Sequence, residues 1–346
     1  MSLPYWIEHD QNGKVGRYVW IKVPRLVPGT NVFTVQKRSG FSPNGEATFL
    51  FFDDFLTLDT SKWSVRGYPG YSLTASSGFL VGNLNASLNT SVGGYSLTSY
   101  YEVPEENFVV EMLGWYDSGT IDTAEMAVGV CDRTGSYHGT YNIPMTALVS
   151  ALCTRPPAHA ALKTPILNNV ASTLLSQSPL KLWWRLTLIH ANTKTAIAES
   201  DLGTFVLSGS YSISKRNITI YSWMWNYNPT FLSLKVDWVF VRKHDPSVSV
   251  TVQEISPDCF LLFVESGREL FEFQVGVKAQ DLKITSPSEG LFVSKTFFKL
   301  SPAKLFSGKV VPVGGRCSLG LSCEPSCPLH VKERFFLSPA SDEGKK

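Results

Sequence analysis

The sequence predicts an all-β protein centred on a two-sheet β-sandwich over residues 47–244, with an N-terminal β-hairpin region and a C-terminal β-rich region. Three observations predict it. Runs of β-branched and aromatic residues, separated by turn residues, recur along the chain at 78–81, 95–101, 107–116, 124–131, 182–190, 195–199, 204–208, 217–227 and 232–243. Short strands at regular spacing, with no helical period between them, argue for a sandwich or barrel. The composition agrees: 12% aromatic, only 17% charged, with 26 Gly and 20 Pro spread along the chain, as in a turn-rich β protein. The third observation is the pleat at 232–240. There Leu232, Leu234, Val236, Trp238 and Phe240 are expected on a buried face, and Ser233, Lys235 and Asp237 on a wet one.

At the N-terminus, residues 18–23 and 31–36 read as the two strands of a hairpin, with Pro28 and Gly29 in the turn. The stretch 161–178 is expected to be a loop with one helical turn. Residues 245–258 read as a linker containing a strand or extended segment. Residues 259–346 read as a small β-rich region ending in a solvated, Cys-containing tail. Within the sandwich, Trp184 is expected in the core with Leu182, Leu186 and Leu188, leaving Trp183 and Arg185 outward.

A net charge of +2 gives no electrostatic footprint for nucleic acid. No run of 18 apolar residues spans a membrane. The opening MSLPYWIEHD lacks a basic segment followed by an apolar one and is not a signal peptide. The chain is therefore expected to be intracellular, or a fragment whose export signal lies outside it. A weakly charged surface rich in Ser, Thr, Asn and Tyr suits a neutral partner such as a sugar.

Two resemblances sharpen this. Leu3-Pro4-Tyr5-Trp6-Ile7-Glu8, Val19-Trp20-Ile21-Lys22-Val23-Pro24, Asn44-Gly45 and Phe51-Phe52-Asp53-Asp54-Phe55 resemble the second half of the domain of unknown function 2341. That domain recurs in surface and secreted proteins of archaea and bacteria, and the resemblance implies an extracellular setting. The match departs from the family between Gln36 and Gly40. The Asp53-Asp54-Phe55 to Trp63 opening and the Val236-Asp237-Trp238-Val239-Phe240-Val241 closing strand resemble the two ends of concanavalin A-like lectin/glucanase (LamG-like) jelly rolls.

Family-16 glycoside hydrolases share that bracket and carry Glu-x-Asp-x-x-Glu on one strand, which this sequence lacks. Retaining hydrolysis needs two carboxyl groups about 5–5.5 Å apart. The nearest acidic cluster, Asp117, Asp122 and Glu125, surrounds Gly119 and reads as a solvated turn. A divergent hydrolase is the remoter reading. The favoured one is a non-catalytic module that recognises a polysaccharide or a glycosylated surface. The odd-numbered rings Tyr221, Trp223, Trp225 and Tyr227 share a strand face and form its candidate stacking platform, flanked by Trp115. The competing reading makes that stripe the core and the domain a structural or adhesive spacer. No cofactor is required. The jelly-roll resemblance implies a structural calcium at Asp53 or Asp54 with Asp237. Cys317, Cys323, Cys327 and His330 hold the residue types of a zinc site, but not the spacing of a standard finger.

Overall fold

The computed structural model describes residues 2–67, 71–85, 92–118, 123–131, 137–138, 143–144, 146–151, 159–163, 169–174, 182–210, 213, 215–225 and 231–296. Asp122, Tyr227 and the tail with Cys317, Cys323, Cys327 and His330 lie outside the described residues, and of Asp117, Glu125, Trp223 and Trp225 only the backbone is described.

The sandwich forms as expected. One sheet has eight strands. Gly203–Gly209, Lys194–Ser200, Trp183–His190, Phe108–Ser118, Phe231–Lys243, Phe79–Asn85 and Tyr71–Ser76 pair in that order, and Phe51–Asp53 adds to the Phe231–Lys243 strand. The facing sheet has seven: Asn169–Leu174, His159–Lys163, Thr146–Ala151, Thr123–Cys131, Asn217–Trp225, Val92–Glu102 and Trp63–Gly67. Within 161–178 the described residues, the end of His159–Lys163 and Asn169–Leu174, are strand; 164–168 and 175–178, where the helical turn was expected as well, lie outside the described residues. Between the sheets lie Trp184, Leu186, Leu188, Met112, Leu234 and Val236 from one side, and Tyr95, Leu97, Met126, Val128, Ile218 and Ile220 from the other. Trp184 and its even-numbered neighbours take the core positions assigned to them from the pleat.

The pleat at 232–240 does not run straight. Val236 pairs with Gly114 and Trp238 with Leu113, which leaves Asp237 as an extra, bulged residue. A bulge offsets the two-residue alternation by one. Leu234 and Val236 therefore face the sandwich core, and so do Val239 and Val241. Trp238 and Phe240 are turned to the opposite face, where they join Trp6, Trp20, Phe49, Phe52 and Leu113 in a second apolar cluster.

That cluster joins the sandwich to a second β-module, and the strand pairing redraws the expected domain boundaries. Strands Val15–Leu26 and Gly29–Lys37 do not form a hairpin with each other. Val15–Leu26 pairs with Tyr5–His9 on one side and Leu270–Lys278 on the other; Gly29–Lys37 sits between Cys259–Ser266 and Leu291–Thr296, with Ser249–Ser256 at the edge. The Pro28-Gly29 corner thus passes the chain between two sheets, with Gly29 at φ 90°, a conformation open to glycine at little cost. Residues before the sandwich and residues after it share one core, including Ile7, Ile21, Phe33 and Val35 with Phe260, Leu262, Phe273 and Val293. Within the 245–258 stretch read as a linker, Ser249–Ser256 is a strand of that module, and the sandwich is inserted into the module's chain.

This topology makes a direct prediction. A chain ended after His244 leaves Val15–Leu26 and Gly29–Lys37 without the partners that cover Val23, Phe33 and Val35. Hydrogen exchange should then show residues 15–37 exchanging at rates near those of an unfolded chain, against strong protection in the full chain. Unchanged protection would show that the N-terminal strands fold without the C-terminal ones.

Candidate functional site

The outer face of the eight-stranded sheet carries rows of side chains from neighbouring strands. Cross-strand register sets Trp183 beside Trp115, and Trp115 beside Lys235. Both indoles are half-buried. They stack at 5.5 Å between centroids with 21° between planes. Phe79 lies 6.0 Å from Trp183, and the Lys235 ammonium stands 4.9 Å over the Trp115 ring. Rings left half-open side by side on a sheet face make a contiguous apolar surface, and such patches, when large, mark interaction sites. The buried indole N–H of Trp115 has no acceptor among the described residues, an arrangement that calls for an explanation.

One row further along the sheet, the second module covers the face. Trp6 packs edge-on against Phe49, Phe52, Trp238 and Phe240, with centroids between 5.2 and 5.8 Å apart. Gly276 lets Trp20 lie close to the Leu270–Lys278 strand, because a Cβ at this glycine would meet the indole at 2.7 Å. Beside these rings is a buried ionic cluster. Arg185 donates to both oxygens of Glu8 at 2.9 Å and to Glu111. Arg242 donates to the other Glu111 oxygen at 2.9 Å. The Trp20 indole N–H donates to Glu8 at 2.8 Å. Burial alone would push the Glu111 carboxyl up, but the Arg185 and Arg242 guanidinium charges outweigh it and hold the group below the ordinary carboxylate range. The adjoining groove, about 390 Å3, is lined in part by Arg17 and Glu199, with Arg17 Nη1 donating to both Glu199 oxygens at 2.9 Å.

The residues singled out in the sequence fall in different places. Trp115 lies in the eight-stranded sheet and the 217–225 strand in the seven-stranded one, so Trp115 does not flank that stripe. Its neighbour is Trp183, which alternation had placed outward. Ile218 and Ile220 do serve as core, as the even face should. Tyr221, however, is 0% exposed, so this ring of the stripe is covered rather than open. Trp223 pairs in register with Glu125 and Gly94, while Tyr227 is outside the described residues. Asp117 and Glu125 belong to strands of opposite sheets and do not make one acidic strand cluster.

The expected calcium ligands have other tasks. Asp53 accepts the Phe55 N–H at 2.8 Å and the Trp63 indole N–H at 2.6 Å. It thereby holds a turn in which buried Phe55 takes φ 51°, a left-handed conformation costing roughly 1–2 kcal/mol. Burial pushes the Asp53 carboxyl up despite those bonds. Asp237 faces His9 at 3.0 Å. Among the described residues no three His, Cys, Asp or Glu side chains group as metal ligands; both Asp53 oxygens and one Asp237 oxygen are committed in this way. No helix among the described residues is long and apolar enough to cross a membrane.

Comparison with known proteins bears on the chain in two parts. The family model "Domain of unknown function (DUF2341)" matches residues 1–66. Among solved structures, the chain is similar to lectin UEA-II complexed with galactose (8% identity, 55% of this chain and 97% of that one, TM-score 0.40). It is similar also to a beta-1,3-glucanase from Mycobacterium marinum (12%, 57% and 99%, 0.40) and to the VIP36 exoplasmic/lumenal domain in its Ca2+/Man3GlcNAc-bound form (8%, 57% and 93%, 0.40). No curated protein matches. The sheet order described above is what establishes an all-β sandwich.

The buried cluster generates a stability prediction. Glu8→Ala strands the Arg185 guanidinium and the Trp20 N–H. Breaking a buried pair from one side costs about 3–5 kcal/mol, to be read as a lowered urea midpoint. A loss below about 1 kcal/mol, the range of surface pairs, would show that the cluster is open to water.

Proposed function

We propose that the protein is a non-catalytic carbohydrate-recognition module, of a surface or secreted protein, that binds a polysaccharide or a glycosylated partner at the Trp115–Trp183 ladder. The observation that carries this reading is the ladder itself: two half-open indoles, flanked by Phe79 and Lys235, on a sheet face that the second module covers one row further along. Aromatic faces meet the C–H faces of sugar rings. The Lys235 ammonium close by adds a polar group beside the rings, the mixture of apolar wall and few polar groups typical of ligand sites. Against chemistry beside this face stands the pairing of the buried Glu8 and Glu111 carboxylates, each with Arg185.

The test is a glycan-array screen of the full chain, followed by affinity measurement for any hit. Trp115→Ala and Trp183→Ala should each cost at least about 2 kcal/mol, as anchoring residues do, or roughly 30-fold in Kd. Trp223→Ala with Trp225→Ala should leave affinity near wild type. Loss confined to the 223/225 pair would move the site to the seven-stranded sheet. A folded wild-type chain that binds no glycan would leave the structural spacer as the better account.

A further inference from the structure

The chain leaves the sandwich at Lys243 and enters the next strand of the second module at Ser249. Where it crosses, a cleft of about 550 Å3 opens between the modules, within the size range of small-ligand sites. One side is the 191–193 turn between strands Trp183–His190 and Lys194–Ser200. The crossing residues 244–247 and the turn at Gly267 and Arg268 form the rest. Trp183 and the cleft lie at opposite ends of strand Trp183–His190, roughly 23 Å apart at about 3.3 Å per residue.

Hydrogen bonds fix the crossing. The His244 N–H donates to the Asn107 carbonyl at 3.1 Å, and the Val248 N–H to the Asp245 carbonyl at 3.2 Å. Asp245 is buried, and both its oxygens are filled. Oδ1 accepts the Ser247 N–H at 2.9 Å and the Ser247 hydroxyl at 2.6 Å. Oδ2 accepts the Arg268 Nε–H at 2.5 Å. The Arg268 side chain is 62% exposed while that of Asp245 is 5% exposed. Its guanidinium is thus gripped on the Nε side by a shielded carboxylate, and its two Nη groups hold no hydrogen bond among the described residues.

We propose that this cleft binds a hydroxylated carboxylate of sugar-acid size, with the Arg268 Nη pair on the carboxylate and the 192–193 turn on the hydroxyls. A guanidinium fork matches the two oxygens of a carboxylate, and orienting it beforehand lowers the cost of binding. Asn192 and Thr193 are exposed and supply an amide and a hydroxyl, which both donate and accept. The half-buried His244 imidazole makes no hydrogen bond among the described residues. Burial and the Arg242 charge hold it below the ordinary histidine value, so at neutral pH it offers one donor and one acceptor. A neutral sugar would leave the Arg268 fork unanswered, and a bare carboxylate would leave the amide and imidazole unused. The apolar side chains of the lining are Ala191 and Pro246, which give no hold for the large side chains of a peptide. The site does not depend on the ladder, and its chemistry is different: charge and hydrogen bonds here, rings there.

The experiment uses the full chain. Sodium glucuronate, glucose and sodium acetate are titrated in turn, and NMR follows the His244 ring and the backbone amides of 192–193 and 267–268. The expected result is saturable shifts at these positions with glucuronate, and binding weaker by about tenfold or more for glucose and for acetate, as for loss of a hydrogen bond to a charged group. Arg268→Gln should weaken glucuronate by a similar factor. Arg268→Lys, which keeps the charge but not the fork, should fall between Arg268→Gln and wild type. Equal affinity for glucose or acetate, unchanged affinity in Arg268→Gln, or shifts confined to the Trp115 and Trp183 indoles would overturn the site. So would tighter binding of a glutamate-rich peptide at the same residues. Should Arg268→Gln lower the thermal midpoint sharply, Arg268→Lys and Asn192→Ala decide, each expected to weaken glucuronate. The ladder is tested by its tryptophans and the cleft by Arg268, so the two proposals fail separately.

Discussion

Arg185 is shared by Glu8 of one module and Glu111 of the other sheet strand, and the arrangement of the two modules depends on that sharing. A lone carboxylate at either position would be expensive to bury. With the guanidinium fork between them, and Arg242 completing Glu111, two charges of each sign are removed from water with their hydrogen bonds filled. Such a cluster contributes less to net stability than to uniqueness of docking, since apolar pairs of similar volume would bury at lower cost. The rings around it supply the apolar area; the ions allow only one registry between the sheet face and the module above it.

The inserted topology follows from the same face. The eight-stranded sheet buries its inner side in the sandwich and half of its outer side under the second module. The bulge at Asp237 makes this possible, because one strand then feeds Leu234 and Val236 to one core and Trp238 and Phe240 to another. The part of the outer face left open includes the row of Trp183, Trp115 and Lys235. A ligand site at the edge of a module interface is a common placement. Here it also means that the ladder is propped from one side by the residues that hold the modules together.

Much of the sandwich was legible because burial on one side imposes a period of two, which Trp184, Leu186 and Leu188 keep without interruption. The turn at Phe55 and the domain order were not legible. The alternation at 232–240 looks unbroken in the sequence, since Asp237 occupies a position where a polar residue is expected, and nothing local marks it as an extra residue. The pairing of Gly29–Lys37 with Cys259–Ser266 joins positions more than two hundred residues apart in chain order, and strand patterns carry no record of their partners. Trp115 stands out in the sequence, but its companion is Trp183 of its own sheet and not the 217–225 strand of the facing one. The doublet Trp183-Trp184 held the better signal: alternation requires one of two adjacent tryptophans on a two-sided sheet to face away from the core. Tyr221 shows the converse, since the side of the sheet opposite the core is not always open.

The central claim is that the Trp115–Trp183 row is where this protein meets its partner. The most direct measurement is indole N–H NMR of the full chain during titration with an oligosaccharide identified on an array. The account predicts shifts at Trp115 and Trp183, with the core indoles of Trp63 and Trp184 unmoved. Shifts confined to Trp223 and Trp225, or saturable binding that moves neither Trp115 nor Trp183, would contradict it.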